Sequence, residues 1–274
     1  MHHRHIVAAA YDAGVEEEYK RLVETPLREA EFMLISELLE KYVPSGNTVI
    51  DIGSGPGRYA EHLLHRNCKV GLVDLSARSL KAFSDRLIDS EHKEKVLFNT
   101  VSCATELDWI EPESADAVLL MGPLYHITNE EGRTKAIKQS QRILKKGGFL
   151  FSVFMSPYPK LNPMLELTEK EIYNPIFFKE IEQHGVTYTE FKGYNVPQFR
   201  CWPQDAVALM EKNGFHTERI RNLEGIGSFM TEAVLKEFND PEKKRTLFEI
   251  LRNTCENPNL LGITHQYLYV GMKK

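Results

Sequence analysis

The sequence predicts an α/β fold, a doubly wound and mostly parallel sheet of seven strands with helical segments inserted as lids. Three observations predict it. Short runs rich in Val, Ile and Leu alternate with amphipathic stretches between residues 48 and 154, which is the pattern of a parallel sheet covered on both faces. The first run leads into a glycine-rich turn, "VIDIGSGPGRYA" at 49–60. The second, "KVGLVDLS", ends on an acid, Asp74.

Each element follows from its own stretch. Residues 13–25 read as an acidic amphipathic helix that Pro26 punctuates, and 27–42 as a second helix with Ala30, Met33, Leu34, Glu37 and Leu38 along one side. The turn Pro44-Ser45-Gly46-Asn47 precedes a strand at 48–52. A helix at 58–66, a strand at 70–74, a helix at 77–88 and a strand at 96–101 come next. A strand at 115–121, a helix at 131–145 and, after Gly147-Gly148, a strand at 149–154 complete the regular rhythm. Residues 156–202 are rich in Pro, Tyr, Phe and Glu and carry only short helical pieces. The rhythm returns with a helix at 203–213, a strand at 217–223, mostly helical chain at 229–253 and a final strand at 265–272.

The bulk properties narrow the function. The chain has 274 residues, net charge -5 and no Lys/Arg stripe, which speaks against a protein that lives on nucleic acid. Its apolar runs fall short of the roughly 18 residues a membrane span needs. The opening MHHRH gives way quickly to Glu16, Glu17 and Glu18, so no leader peptide is expected there. Cys68, Cys103, Cys201 and Cys255 form no CxxC pair, so a reduced, cytoplasmic protein without a zinc site is expected.

The chemistry is carried by strand ends. Glycine lets the backbone turn tightly and come close to a neighbour, and in a doubly wound sheet the ligand lies beyond the carboxyl ends of the strands. Gly53 and Gly55 fit the dinucleotide fingerprint, but its last position holds Arg58, and Gly57 comes one residue early. Asp51 stands just before. This arrangement, acid-x-Gly-x-Gly-x-Gly, resembles the first motif of class I S-adenosylmethionine (SAM) methyltransferases, whose fold is a Rossmann-like sheet. "YDAGVEEEYKRL", "LLMGPLYHI", "SQRILKKGG" and "LLGITHQYLYV" extend the resemblance to a bacterial and archaeal group of small members of that class.

The resemblance implies SAM as cofactor, S-adenosylhomocysteine as product and a small-molecule methyl acceptor, with nucleic acid and membrane disfavoured. It places the cofactor on Asp51, Gly53, Ser54 and Gly55, with Asp74 and Leu75 at the ribose. It places adenine at Cys103, Ala104 and Thr105, where the group usually has an Asp-Ala pair; Cys103 departs from that pattern, and Glu106 stands near enough to compensate. Met121 ends the fourth strand. Tyr11 and Tyr19 are expected to donate hydroxyl hydrogen bonds at the methionine end, and Arg28 to face the cofactor carboxylate. Tyr125 and His126 are the expected catalytic pair, with His126 as general base where a hydroxyl acceptor needs one. His184, His216 and His265 are further options for that base.

The expected organisation is an N-terminal helical lid at 1–43 and the SAM-binding core at 44–155. An inserted substrate lid at 156–202 and the end of the core at 203–274, with a helical insertion at 225–261, follow. The long insertions read as lids because long connections in compact domains are usually functional or disordered. Two other readings stay open: a SAM-binding regulatory subunit without activity, and a nicotinamide-dependent oxidoreductase.

Overall fold

The computed structural model describes residues 3–157 and 185–274. The part of the expected substrate lid that includes Tyr158, Tyr173, Phe177, Phe178 and His184 lies outside the described residues.

The first helices differ from the reading above. The chain opens with α1, His3–Ala13, a helix for which the sequence offered no start signal, and a break at Gly14 separates it from α2, Val15–Arg21. Helix α3, Pro26–Tyr42, starts on proline, and the Thr25 hydroxyl caps it by accepting from Arg28 N–H at 3.3 Å. The core then alternates: β1 (Thr48–Ile52), α4 (Arg58–His65), β2 (Lys69–Asp74), α5 (Ala77–Arg86), β3 (Val96–Val101) and β4 (Ala115–Leu120). A single turn, α6 (Pro123–His126), precedes α7 (Glu130–Ile143) and β5 (Leu144–Met155). Strand β5 contains the Gly147-Gly148 turn, which lies where the β4–β5 register jumps between Ala115↔Leu144 and Ala117↔Phe149.

The seven-stranded sheet runs β3-β2-β1-β4-β5-β9-β8, with β8 at Phe215–Asn222 and β9 at Gln266–Lys273. Strands β1 to β5 are parallel, and β9 pairs antiparallel with both β5 and β8. The order reverses between β1 and β4, so the carboxyl ends of those two strands bound a crevice. Alternate side chains serve opposite faces: Ile50, Ile52, Val118 and Leu120 pack with α7 and with α8 (Pro203–Lys212). Val49, Ala117, Leu119 and Phe151 pack with α3, α4 and α5. Insertion 225–261 is helical as expected, with α9 (Glu232–Glu237) and α10 (Pro241–Thr254).

In the other insertion the sequence reading missed a β-hairpin. Strands β6 (Val186–Phe191) and β7 (Tyr194–Phe199) pair antiparallel around Lys192 and Gly193, both at positive φ, the turn that suits a two-residue hairpin. A lone hairpin is marginal in water. This one leans on α1: Val196 joins Val7 and Ala10 in a small core, with Tyr11 and Phe191 against it.

Candidate active site

The crevice opens into a cavity of about 560 Å³ that runs from the β2 and β3 ends, past the glycine turn, to α6. Helices α1 and α2 close it from above, through Val7, Tyr11, Glu18 and Arg21.

The three glycines of the turn serve three different neighbours. Gly53, at φ 75°, would place a Cβ 2.5 Å from Pro123 Cδ, and Gly57, at φ 84°, would place one 2.3 Å from Phe83 Cδ2. Those two are glycine because protein comes close: the α6 bend in one case, an α5 ring in the other. Only Gly55, at φ 54°, has open space, its nearest neighbour being Glu18 Cγ at 3.8 Å. Gly55 is therefore the position that leaves room for a ligand against the backbone.

Asp74 closes β2 beside it. One carboxylate oxygen accepts from Gly55 N–H at 2.7 Å and the other from Ser76 N–H at 2.7 Å. Capping of α5 falls to Ser76, whose hydroxyl oxygen accepts from Ser79 N–H at 3.0 Å and donates to Asp12 at 2.6 Å. With one N–H on each oxygen, the carboxylate keeps a lone pair on each for a two-hydroxyl ligand. Burial still raises its pKa, against the pull of the N–H groups of Ser76 and Gly55.

Asp51 is the opposite case. It is 3% exposed, lines the cavity and receives no hydrogen bond from any described side chain or backbone group. Burial first, then Asp74, pushes its pKa up to about 8. A buried acid without a donor is costly, and a cationic ligand group would relieve it. The Tyr59 hydroxyl lies in the same wall, buried and without a partner among the described residues. The charge pair here is Arg21 with Glu18, at 3.0 Å, and Arg21 with the buried Glu31, at 2.9 Å. Burial works against the Arg21 charge, but Glu31 and Glu18 outweigh it and raise its pKa.

At the far end the expected catalytic pair meets the N-terminal helix. His126 is half-buried, with Nε2 2.9 Å from the Tyr11 hydroxyl and Nδ1 2.9 Å from the Pro197 carbonyl of β7. A carbonyl oxygen only accepts, so Nδ1 carries the proton and Nε2 accepts from Tyr11. Tyr11 therefore spends its proton on His126 and has none to donate to a cofactor, contrary to the sequence expectation. Burial lowers His126 to a pKa of about 4, against the Pro197 hydrogen bond. Tyr125 lines the cavity beside it, its pKa raised by burial.

Leu75, Cys103, Ala104 and Thr105 line the other end, and Met121, just past the end of β4, lines the cavity beside α6. The Cys103 thiol contacts the Thr105 hydroxyl at 3.2 Å. Glu106 is not free to replace the missing acid, because Arg4 of α1 holds both its oxygens at 3.0 and 3.2 Å.

Two expected site residues lie elsewhere. Tyr19 donates to Glu61 at 2.8 Å, with its ring between the guanidinium groups of Arg58 and Arg86, 3.8 and 3.9 Å from its centroid. Arg28 is held by Glu31 at 2.6 Å. Neither lines the cavity, whereas Arg21 of α2 does. Tyr59 had a signal, two residues past the last glycine of the turn.

Residues 49–148 match the family described as a methyltransferase domain. A tRNA (carboxymethyluridine(34)-5-O)-methyltransferase of Arabidopsis thaliana is 32% identical over 123 residues, 45% of this chain and 27% of that protein. A ubiquinone biosynthesis O-methyltransferase of Nitrosomonas europaea is 32% identical over 117 residues, 42% of this chain and 47% of that one. The chain thus spans less than half the length of these relatives. Among solved structures, a SAM-dependent methyltransferase from Methanosarcina mazei superposes with TM-score 0.60 at 16% identity, covering 86% of this chain and 96% of that one. It shares the fold.

Proposed function

We propose that the chain is a SAM-dependent methyltransferase that acts on a small-molecule acceptor. Residues 49–148 are a methyltransferase domain, and SAM is the cofactor that goes with it. The observation that carries the acceptor size is the cavity itself, about 560 Å³ and roofed by α1, which suits a cofactor and a compact acceptor better than a polymer.

The residues fit that cofactor. Gly55 leaves space against the backbone, Asp74 keeps two lone pairs for the ribose hydroxyls, and Asp51 presents an unpartnered carboxylate for the ammonium. Arg21 is the cation for the carboxylate, and Leu75, Cys103, Ala104 and Thr105 offer an apolar slot with backbone groups for adenine. The cofactor supplies a methyl group already activated on a sulfonium. The protein supplies position and exclusion of water, worth roughly 7–11 kcal/mol for well-oriented reactants.

The reading predicts that S-adenosylhomocysteine binds and NADH does not, measured by calorimetry on the full chain. Methyl release from labelled SAM, assayed with extract separated into small molecules and RNA, tests the acceptor. Label in the RNA fraction alone would favour the second reading, a nucleoside acceptor, which the relation to the tRNA enzyme keeps in play. Binding without any labelled product would leave a SAM-binding regulator.

A further inference from the structure

We infer that strand β3, one edge of the central sheet, is the contact through which two copies of this chain pair, antiparallel about a two-fold axis at Asn99. The contact lies outside the cavity and stands apart from the reaction proposed for it.

The two edges of the sheet are built differently. Strand β8, at one end of the order, reads FHTERIRN. It carries His216, Glu218 and Arg219, and its register with β9 is broken between Thr217 and Arg219. Charge and a bulge are what keep an edge from pairing with another chain. Strand β3, at the opposite end, reads VLFNTV and carries no charge. Its one register shift lies at the start, opposite Val70 and Gly71, and from Phe98 to Val101 the pairing with β2 is regular. No described strand pairs with its outer side. Apolar surface gathers there: Leu97 is 48% and Val101 54% exposed, with Ile88 and Trp109 also exposed in the connections before and after the strand.

Backbone and side chains of β3 both fit a copy of themselves. Ser102 N–H donates to the Asp74 carbonyl of β2 at 3.0 Å. Alternation along the strand then turns the N–H and C=O of Asn99 and Val101 away from β2. The Asn99 side chain donates to the Leu80 carbonyl and the Ser84 hydroxyl of α5, both at 2.8 Å, so it lies on the α5 face of the sheet. Leu97 and Val101, two residues to either side, share that face. Phe98 turns to the other face, where its ring meets Trp109 edge-on with centroids 5.0 Å apart. Antiparallel pairing about Asn99 sets each Asn99 opposite the other and each Leu97 opposite Val101 of the second copy. The outward backbone groups then meet as hydrogen-bonded pairs, and the two exposed apolar side chains cover each other. No charged side chain of the strand meets its own copy. A strand from any other protein matches the backbone alone; the equal spacing of Leu97 and Val101 about Asn99 is what a two-fold axis needs.

Three measurements on the full chain test this. Sedimentation between about 1 and 100 μM is expected to show a monomer–dimer equilibrium, as suits an interface of modest size; a monomer throughout overturns the proposal. Amide hydrogen exchange then locates the contact without any substitution. Asn99 and Val101 are expected to exchange about ten-fold or more slower at the dimer end of that range than at the monomer end, and equal rates overturn it. Charge tests the register. Leu97→Lys and Val101→Glu are each expected to weaken the dimer about ten-fold or more, because the two-fold axis repeats every change. The Tm of the dilute chain should move by less than about 3 °C, since both side chains are exposed. Mixed in equal amounts, the two variants should pair with each other more tightly than either pairs with itself, since only the mixed dimer sets opposite charges face to face. Single variants that dimerise as tightly as the unaltered chain, or a mixture no tighter than its parts, overturn the β3 contact.

Discussion

At the proposed ribose end of the cavity, the glycine turn and the acids Asp51 and Asp74 come from one stretch, residues 51–76. At the other end, Tyr11 meets His126 across 115 residues of sequence, and His126 meets Pro197 across 71. The first end is a local structure set by strand, glycine turn and strand-end acid. The second is an assembly of three distant pieces, each of which needs the others: β6 and β7 need α1 to pack on, Tyr11 needs His126 for its proton, and His126 needs the Pro197 carbonyl for its tautomer. Local geometry suits what is constant in a reaction, the cofactor. Under the proposed function, the assembled end would be the one that faces the acceptor, the part that varies.

The hardest way to break the local end is to touch a glycine that serves protein rather than ligand. Gly57→Ala combines a left-handed residue with a Cβ 2.3 Å from the Phe83 ring. The expected loss is about 2–5 kcal/mol, from 1–2 for the backbone and 1–3 for overpacking, or on the order of 10 °C in Tm. Thermal unfolding without ligand measures it, and an unchanged Tm would show that the α5 ring moves freely.

Next comes the acid. Asp74→Ala removes the acceptor for the Gly55 and Ser76 N–H groups and, under the proposed function, for both ribose hydroxyls. Each hydroxyl contact is worth about 1.5–3 kcal/mol, so S-adenosylhomocysteine should bind ten-fold or more weaker. Tyr11→Phe at the other end, where the hydroxyl proton is spent on His126, should change that affinity by less than about three-fold, so one calorimetric series separates the two ends. Comparable losses from both variants would mean that the ends are not independent.

The same division governs what was legible in the sequence. The seven strands and their order of appearance could be read, and Asp51, Gly55 and Asp74 could be picked out as cavity-lining residues, because each depends on neighbours within a few residues. Helix α1 could not. Its buried positions, Val7 and Ala10, face a hairpin nearly two hundred residues away, and no capping residue marks its start. The helix expected across 13–25 breaks at Gly14 for the same reason, since a Cβ there would lie 2.4 Å from Phe191 Cζ. Tyr19 looked like a site residue because it shares a helix with Glu18 and Arg21, and only the packing of α2 turns it towards Glu61 and away from the cavity. The hairpin itself had a readable signal, alternating residues on both sides of Lys192-Gly193, obscured by the aromatic and proline content of its surroundings.

Protonation offers a finer test of the local end. Asp51 carries a pKa of about 8 in the free chain, so it is mostly protonated at pH 7, whereas opposite an ammonium it would be ionised. Binding S-adenosylhomocysteine should then release a proton, and affinity should fall about ten-fold per pH unit as pH drops below 8. The sign for stability runs the other way. An acid raised on folding contributes most at low pH, so the free chain should lose stability as pH rises from the ordinary aspartate range to about 8. Calorimetry in buffers of different ionisation enthalpy reads the proton, and Asp51→Asn should abolish that share of it while weakening binding. Asp74 shifts in the same direction, which is why the variant is needed to assign the effect. An affinity flat between pH 6 and 8 would remove Asp51 from the ammonium place.

The smallest effect is expected where the sequence departs most from the pattern it resembles. Cys103 stands in the place usually held by an acid that receives the adenine amino group. Its thiol is a weak acceptor and already contacts the Thr105 hydroxyl at 3.2 Å. Glu106, the one acid close by, is committed to Arg4. Under the proposed function, adenine affinity at this end would come from the apolar wall of Leu75 and Ala104 and from backbone groups, none of which a change at the Cys103 sulfur removes. Cys103→Ser keeps the size and a comparable contact to Thr105, so S-adenosylhomocysteine affinity should change by less than about two-fold, within the worth of one weak neutral hydrogen bond. Cys103→Asp should leave it equal or improve it by adding a charged acceptor for the amino group. A ten-fold loss in Cys103→Ser, measured by the same calorimetry, would show that the sulfur itself packs against the ring, and that the adenine end depends on a contact its own backbone does not provide.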